Sequence, residues 1–241
     1  MFDCIVKGGT LVDGLGGQAE TGDVAIQDGH IAEVGGRING LAKRTIDADG
    51  ALVTPGWIDL HTHYDGQVSW DSEMAPSSHN GVTTVVMGNC GVGFAPVQEG
   101  QETQLIELME GVEDIPGSAL HEGMEWGEWE TFPEYLDYLS LREFSLDVGA
   151  QIAHGSLRYY AMGERGRLNE DATASDLSLM GDLVTEALDA GAVGFSTSRI
   201  IGHRSLWGEP VPGTFAPDQE VLAIAEAMKK SSKGVFQMIP A

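Results

Sequence analysis

The feature that most constrains the fold of this chain is a series of short apolar runs between residues 52 and 239. Uninterrupted apolar runs of this length are typical of parallel strands that are buried on both faces. Amphipathic helical stripes separate some of the runs, one ending at Gly191 and one opening at Pro217-Asp218. Repeated strand and helix units of this kind predict an α/β fold with a parallel sheet. The predicted strands are Leu52–Leu60, Val82–Met87, Val148–Ala153, Ala192–Phe195 and Val235–Ile239.

Residues 1–50 follow a different pattern, in which short extended stretches alternate with turns. Cys4–Lys7 is predicted as a strand that ends in a turn at Gly8-Gly9-Thr10. The dipeptide Asp28-Gly29 lies between two apolar stretches and is a strong hairpin signal. We therefore divide the chain into a small all-β piece at 1–50 and an α/β region at 51–241.

A long acidic segment, Ala95–Glu130, separates the second predicted strand from the third and carries Trp126 and Trp129. A segment of this length is typical of a lid over a site or of a surface insertion, and the sequence leaves both interpretations open. Immediately after it, Thr131-Phe132-Pro133-Glu134 predicts the start of a helix with a capping box.

The charge of the chain restricts the partners that it could bind. The net charge is −24, from 37 acidic and 13 basic residues. A surface this acidic repels phosphate backbones, so we expect no nucleic-acid partner. No apolar run approaches the roughly 18 residues of a membrane span, so we expect no membrane partner. With two cysteines and no basic, signal-like N-terminus, a cytoplasmic location is predicted.

The strongest chemical signal is His61-Thr62-His63, which follows a Pro-Gly entry and an apolar run. Alternate residues of a strand share one face, so the two imidazoles are predicted to lie side by side. They would lie at the carboxyl end of the strand, where α/β barrels place their chemistry. Imidazole nitrogen is a zinc ligand, and we therefore predict His61 and His63 as metal ligands.

A second signal is Cys90, which follows the next apolar run and is set among glycines. A thiolate is a good zinc ligand, at about 2.3 Å from the ion. An isolated buried cysteine is more often inert. Cys90 is predicted as a third metal ligand because it follows the strand next to the one that precedes His61 and His63.

Two of these motifs resemble a known family. Gly56-Trp57-Ile58-Asp59-Leu60-His61-Thr62-His63 is similar to the first-strand motif of the amidohydrolase superfamily. Together with Gly88-Asn89-Cys90-Gly91 it resembles the N-acyl-D-amino-acid deacylase (D-aminoacylase) branch. In that branch a Cys after the second strand replaces the carboxylated Lys of hydantoinase-like relatives as a metal ligand. Such a Lys would end the fourth predicted strand, but that position reads Phe195-Ser196-Thr197-Ser198-Arg199.

The resemblance implies a partial (β/α)8 TIM-type barrel, comprising about strands 1 to 5, preceded by the first part of a small β-sandwich domain. It implies a hydrolase of linear amides, in which Zn(2+), as one or two ions on His61, His63 and Cys90, activates a water molecule. The expected partner is a small-molecule N-acyl-D-amino acid substrate. Two alternatives stay open, a cyclic-amide hydrolase of the hydantoinase or dihydroorotase type and a non-catalytic half-barrel module.

The resemblance also implies later site residues, namely histidine ligands on strands 5 and 6 and a general-base Asp on strand 8. The predicted fifth strand contains no His. Residues 51–241 are also fewer than the roughly 250 that a complete barrel needs. We therefore expect the general-base Asp beyond residue 241 and hypothesise that the chain is a truncated barrel, inactive alone.

Three further residues are candidate substrate contacts. Tyr64 is expected to line the pocket if His63 binds metal. His154 ends the third predicted strand, where it is either a substrate contact or a hydrogen-bonded core histidine. Arg199 follows the fourth predicted strand and is either a clamp for a substrate carboxylate or part of a surface ion pair. His203 lies in a loop that either covers the site or is an exposed turn.

Overall fold

A computed structural model describes residues 1–240, which form two compact units. The first unit is Met1–Gly56 and the second begins at Trp57. The strands are β1 (Phe2–Leu11), β2 (Glu20–Gln27), β3 (His30–Val34), β4 (Ala42–Asp47), β5 (Leu52–Val53), β6 (Trp57–Asp59), β7 (Val82–Met87), β8 (Asp147–Ala153), β9 (Gly194–Ser198) and β10 (Val235–Ile239). The α-helices are α1 (Glu102–Glu113), α2 (Gly117–Gly123), α3 (Phe132–Ser140), α4 (His154–Met162), α5 (Glu164–Arg167), α6 (Ala174–Ala190) and α7 (Asp218–Ser231).

The first unit is a five-stranded mixed sheet in the order β3-β2-β1-β4, with β5 paired to β1. The predicted hairpin is confirmed, since β2 and β3 pair antiparallel and both Asp28 and Gly29 have positive φ. The predicted turn at Gly8-Gly9-Thr10 is wrong. β1 continues through these residues with only a register irregularity between Val6 and Gly9, because β4 and β5 extend its pairing.

The second unit contains a five-stranded sheet in the order β10-β9-β8-β7-β6, with every neighbouring pair parallel. This half-barrel confirms the predicted α/β fold. Its central strand is β8, and the five residues of the neighbouring β9 are all buried. Parallel strands place their carboxyl ends at one edge of the sheet, and the residues that follow β6 and β7 therefore meet at that edge.

The run Leu52–Leu60 was predicted as a single buried strand, and that prediction is wrong. Leu52–Val53 pairs with β1 in the first unit, whereas Trp57–Asp59 pairs with β7 in the second. Pro55 lies between them and cannot donate a hydrogen bond to a ladder, so one continuous strand is not formed. Trp57 and Ile58 are 64% and 60% exposed because β6 lies at an edge of the sheet.

The predicted helix boundaries agree well with the structure. The capping box at Thr131 is present, with the side chain of Glu134 accepting from the Thr131 backbone. α6 ends at Gly191, and α7 begins at Asp218 after Pro217. Ala95–Glu130 contains α1 and α2, and Trp129 is buried in the core.

Among the described residues, no helix has both the length and the apolar character that crossing a membrane requires.

Candidate metal centre

The loops after β6 and β7 are tied together by backbone and side-chain hydrogen bonds. The backbone N–H and the hydroxyl of Thr62 both donate to the carbonyl of Val86, at 3.0 Å and 2.8 Å. The amide of Asn89 donates back to the carbonyl of Thr62 at 3.0 Å. These contacts fix His61 and His63, on either side of Thr62, against the loop that carries Cys90.

The structure brings the three predicted metal ligands into one group. One donor atom from each of His61, His63 and Cys90 lies within 4.8 Å of the others. Nε2 of His61 is 3.1 Å from Sγ of Cys90, and the two imidazole centroids are 5.4 Å apart. Both histidines lie beyond the end of β6, so the loop conformation positions them, rather than the alternation of a strand.

Cys90 owes its position to an unusual backbone. Its φ is +56°, between Gly88 at +78° and Gly91 at +73°. A Cβ on Gly88 would lie 2.2 Å from the carbonyl oxygen of Gln151 on β8. The hydroxyl of Ser196 on β9 accepts from the N–H of Gly91 at 3.1 Å and donates to the carbonyl of Gly88. The thiol is therefore held on a left-handed turn that is clamped against two strands.

The protonation states of the free ligands follow from burial. Burial, with smaller contributions from His61 and His203, lowers the pKa of His63 to about 4, so the imidazole is neutral and keeps a lone pair for a metal. Burial raises the pKa of the Cys90 thiol to about 12, with Glu113 and Asp65 adding to the shift. The thiol needs a bound cation to ionise at neutral pH.

Two acidic side chains lie near this group. Asp65 is 3% exposed, and burial raises its pKa to about 8. Glu113, the last residue of α1, has a pKa raised to about 7 by burial and by Asp114. Oε1 of Glu113 lies 3.2 Å from Nε2 of His63.

The residues present fit a zinc ion. Two imidazoles and a thiol are a donor set that zinc prefers. Nδ1 of His63 is buried and has no hydrogen-bond partner among the described residues, and the same is true of Oδ2 of Asp65. Buried polar atoms without partners are uncommon in folded proteins and are often explained by an ion or a water molecule.

The three candidate substrate residues lie in different settings. The hydroxyl of Tyr64 donates to Ser77 at 2.9 Å, and the side chain is 9% exposed. His154 is fully buried: Nε2 contacts Oε1 of Glu220 and Nδ1 contacts the hydroxyl of Thr197, each at 2.8 Å. Arg199 donates from Nη1 to the backbone carbonyls of residues 213, 214 and 216, at 3.3, 3.0 and 2.7 Å, and so anchors the loop before α7.

Sequence reasoning did not single out Glu113 or Asp65, and it left His203 between two interpretations. His203 is half-buried, and its Nδ1 lies 3.2 Å from the hydroxyl oxygen of Ser198. It is also close enough to His61 and His63 for charges on these imidazoles to interact. No local pattern marks Glu113. The one feature that could have drawn attention to this residue is its place at the carboxyl end of a helix, where the helix dipole disfavours negative charge.

The second unit is thus a partial α/β barrel with a candidate metal centre at the carboxyl edge of its sheet. The chain belongs to the amidohydrolase family, whose profile matches residues 44–240. It is 32% identical over 234 residues to an N-acyl-D-aspartate deacylase of Alcaligenes xylosoxydans xylosoxydans, an alignment that covers 97% of this chain and 42% of the relative.

Two solved structures place the chain near the D-aminoacylases. One is a D-aminoacylase with a binuclear metal centre, at a TM-score of 0.79 and 30% identity, covering 98% of this chain and 44% of that one. The other is the N-acyl-D-glutamate deacylase of Bordetella bronchiseptica with zinc and a phosphonate inhibitor, at a TM-score of 0.75 and 29% identity, with coverage of 98% and 44%. The predicted D-aminoacylase-like branch is confirmed, and the chain spans less than half the length of these relatives.

Proposed function

We propose that this protein is a hydrolase of linear amides that removes the acyl group from N-acyl-D-amino acids, with zinc held by His61, His63 and Cys90. The observation that carries the proposal is the convergence of these three donors within 4.8 Å at the carboxyl edge of the sheet. The similarity to an N-acyl-D-aspartate deacylase and to a zinc-bound N-acyl-D-glutamate deacylase supports the substrate class.

When bound, zinc would lower the pKa of a water molecule and polarise the acyl carbonyl. The chain's own residues prepare that chemistry. His63 stays neutral at physiological pH, so it need not lose a proton before it binds an ion. Asn89 holds the His loop and the Cys loop together from a fully buried position, which keeps the donor set formed.

The number of ions is part of the proposal, because the similar D-aminoacylase has a binuclear centre. His61, His63 and Cys90 would supply ligands for one or two ions. The end of β9 carries Ser198 and Arg199 rather than a Lys, which disfavours the cyclic-amide alternative.

The proposal is tested by metal binding to Cys90→Ala, with Cys4→Ala as the matched control. Cys4 is the other free cysteine and lies on β1, in the first unit. The wild-type chain should bind at least about one Co(II) or Zn(II) ion. Its cobalt form should show a thiolate-to-cobalt absorption band. Cys90→Ala should lose the band and weaken binding by more than the roughly 100-fold typical of outer-shell losses.

Cys4→Ala should retain both the band and the affinity. Wild-type chain that binds neither ion, or a cobalt band that survives in Cys90→Ala, would contradict the proposed centre. Absence of metal binding would favour the non-catalytic half-barrel.

A further inference from the structure

The loop between β9 and α7, residues 199–217, begins at the carboxyl edge of the sheet and packs against α1. The N–H of Leu206 donates to the carbonyl of Glu107 on α1 at 3.1 Å. α1 carries a glycine where the loop meets it, and a Cβ on Gly111 would lie 2.3–2.4 Å from backbone atoms of three consecutive loop residues. The loop is therefore fixed at the edge of the sheet where the candidate metal centre lies.

His203 connects this loop to the end of β9. Its Nδ1 lies 3.2 Å from the hydroxyl oxygen of Ser198, the last residue of β9. Its backbone N–H donates to the carbonyl of Ile200, and its own carbonyl accepts from the N–H of Val211, each at 3.1 Å. Both the backbone of His203 and one edge of its imidazole are thus held in place.

Ser198 lies between His203 and the turn that carries Cys90. A Cβ on Gly91 would be 3.5 Å from the backbone nitrogen of Ser198, so the turn packs directly against the end of β9. The two proposed histidine ligands are close enough to His203 for charges on the imidazoles to interact. His203 is not one of the three donors grouped within 4.8 Å, and it therefore lies beside the ligand set and not within it.

The other ring nitrogen of His203, Nε2, has no hydrogen-bond partner within residues 1–240. The hydroxyl of Ser198 accepts from the N–H of Ile200 at 3.2 Å, which leaves its own hydrogen for Nδ1 and the imidazole proton for Nε2. Burial, with a smaller contribution from His61, lowers the pKa of His203. The imidazole is therefore neutral at physiological pH and is not repelled by a bound cation.

Building on the amide hydrolase proposed above, we propose that His203 is a catalytic residue of this site, whose Nε2–H donates a hydrogen bond to the acyl carbonyl oxygen of the substrate. The acyl carbonyl is the part of an N-acyl-D-amino acid that has to reach the metal centre. Negative charge develops on its oxygen when water adds to the carbonyl carbon, and a donor fixed in advance stabilises that charge. Enzymes use a neutral histidine to polarise a substrate carbonyl in this way.

The test is a calorimetric titration of the zinc-loaded chain with a phosphonate analogue of N-acetyl-D-aspartate, in which a phosphonyl group replaces the acyl carbonyl. His203→Ala should weaken phosphonate binding about 10-fold to 100-fold, because a hydrogen bond to a charged oxygen is lost. The affinity for zinc, measured separately, should not change. His203→Gln, whose amide nitrogen reaches about as far as Nε2, should recover most of the loss, whereas the shorter His203→Asn should not.

Glu209→Gln is the matched control for the loop. Glu209 forms an ion pair with Arg167 of α5 and so helps to anchor the loop without being part of the proposed site. Its phosphonate affinity should stay within about 2-fold of wild type, as expected for a surface ion pair. A loss as large as that in His203→Ala would assign the effect to loop order and contradict a direct contact.

The outcomes separate this inference from the function on which it rests. Equal phosphonate affinity in wild type and His203→Ala, or zinc-loaded wild type that does not bind the phosphonate, would overturn the role of His203 and leave the metal centre standing. A loss of zinc affinity in His203→Ala would make His203 a metal ligand and not a substrate contact. Wild-type chain that binds no zinc would remove both proposals.

Discussion

At the scale of single residues, the left-handed turn around Cys90 is the most demanding piece of backbone at the site. Cys90 itself has a positive φ, which costs a non-glycine residue roughly 1–2 kcal/mol. The turn also requires Gly88 to lie against the backbone of Gln151. The sequence motif shows glycines here, but only the structure shows which neighbour excludes a side chain.

Gly88→Ala should lower the free energy of unfolding by about 2–5 kcal/mol. The added methyl would be strained by the φ of +78° and would meet a backbone oxygen at 2.2 Å. Chemical denaturation monitored by circular dichroism measures the loss.

Gly100→Ala is the matched control for this change. Gly100 has a similar φ of +83°, but a Cβ there would meet nothing within 4 Å. Its cost should be limited to the conformational penalty of roughly 1–2 kcal/mol. Equal losses in the two variants would mean that the contact with Gln151 does not constrain the turn.

At the scale of secondary-structure elements, a buried ionic network ties α4 to α7. Glu220 in the first turn of α7 is fully buried and contacts both His154 and Arg158 of α4. Burial opposes the charged form of Glu220, but hydrogen bonds from His154 and Arg158, together with the charge of Arg158, outweigh it and lower its pKa. Glu220 is therefore a common partner of His154 and Arg158.

Glu220→Gln should destabilise the fold by about 3–5 kcal/mol, because it leaves the guanidinium of Arg158 buried without a counter-charge. The exposed Glu226→Gln on the same helix removes an ion pair with Lys229 and should change stability by less than about 1 kcal/mol. Urea unfolding of both variants provides the measurement. A loss in Glu220→Gln no larger than that in Glu226→Gln would refute the network's role.

The elements themselves were largely predictable. Capping at Thr131 and the helix end at Gly191 depend on local chemistry, and local chemistry can be read from the chain. The run Leu52–Leu60 was misread because apolar character does not reveal which sheet a strand joins. The contacts of Glu113 and Glu220 were not predictable, since each depends on a helix docking against residues at least 50 positions away.

At the scale of the whole molecule, stability should depend on the protonation of His154. Burial lowers the pKa of His154, Glu220 opposes this shift, and Arg158 and Arg199 add to it. Below the ordinary value of 6.5, the unfolded chain binds a proton at this position that the folded chain does not. Stability from this group is therefore lost as the pH falls below 6.5.

His154→Gln does not titrate, so the difference in unfolding free energy between wild type and this variant should shrink as the pH falls from about 7 to about 5. The slope should approach about 1.4 kcal/mol per pH unit, which is the limit for one proton. Leu157→Ala, a buried change without a titrating group, should keep a constant difference from wild type. A constant difference for His154→Gln as well would show that His154 titrates alike in the folded and unfolded chain.

The clamp of Ser196 on the turn around Cys90 has a consequence for how the site acquires its ion. Hydrogen bonds from Ser196 on β9 hold the turn, so protein contacts as well as an ion would maintain its conformation. Chelation would then strip the ion and leave the fold standing, in contrast to zinc fingers, which unfold without metal.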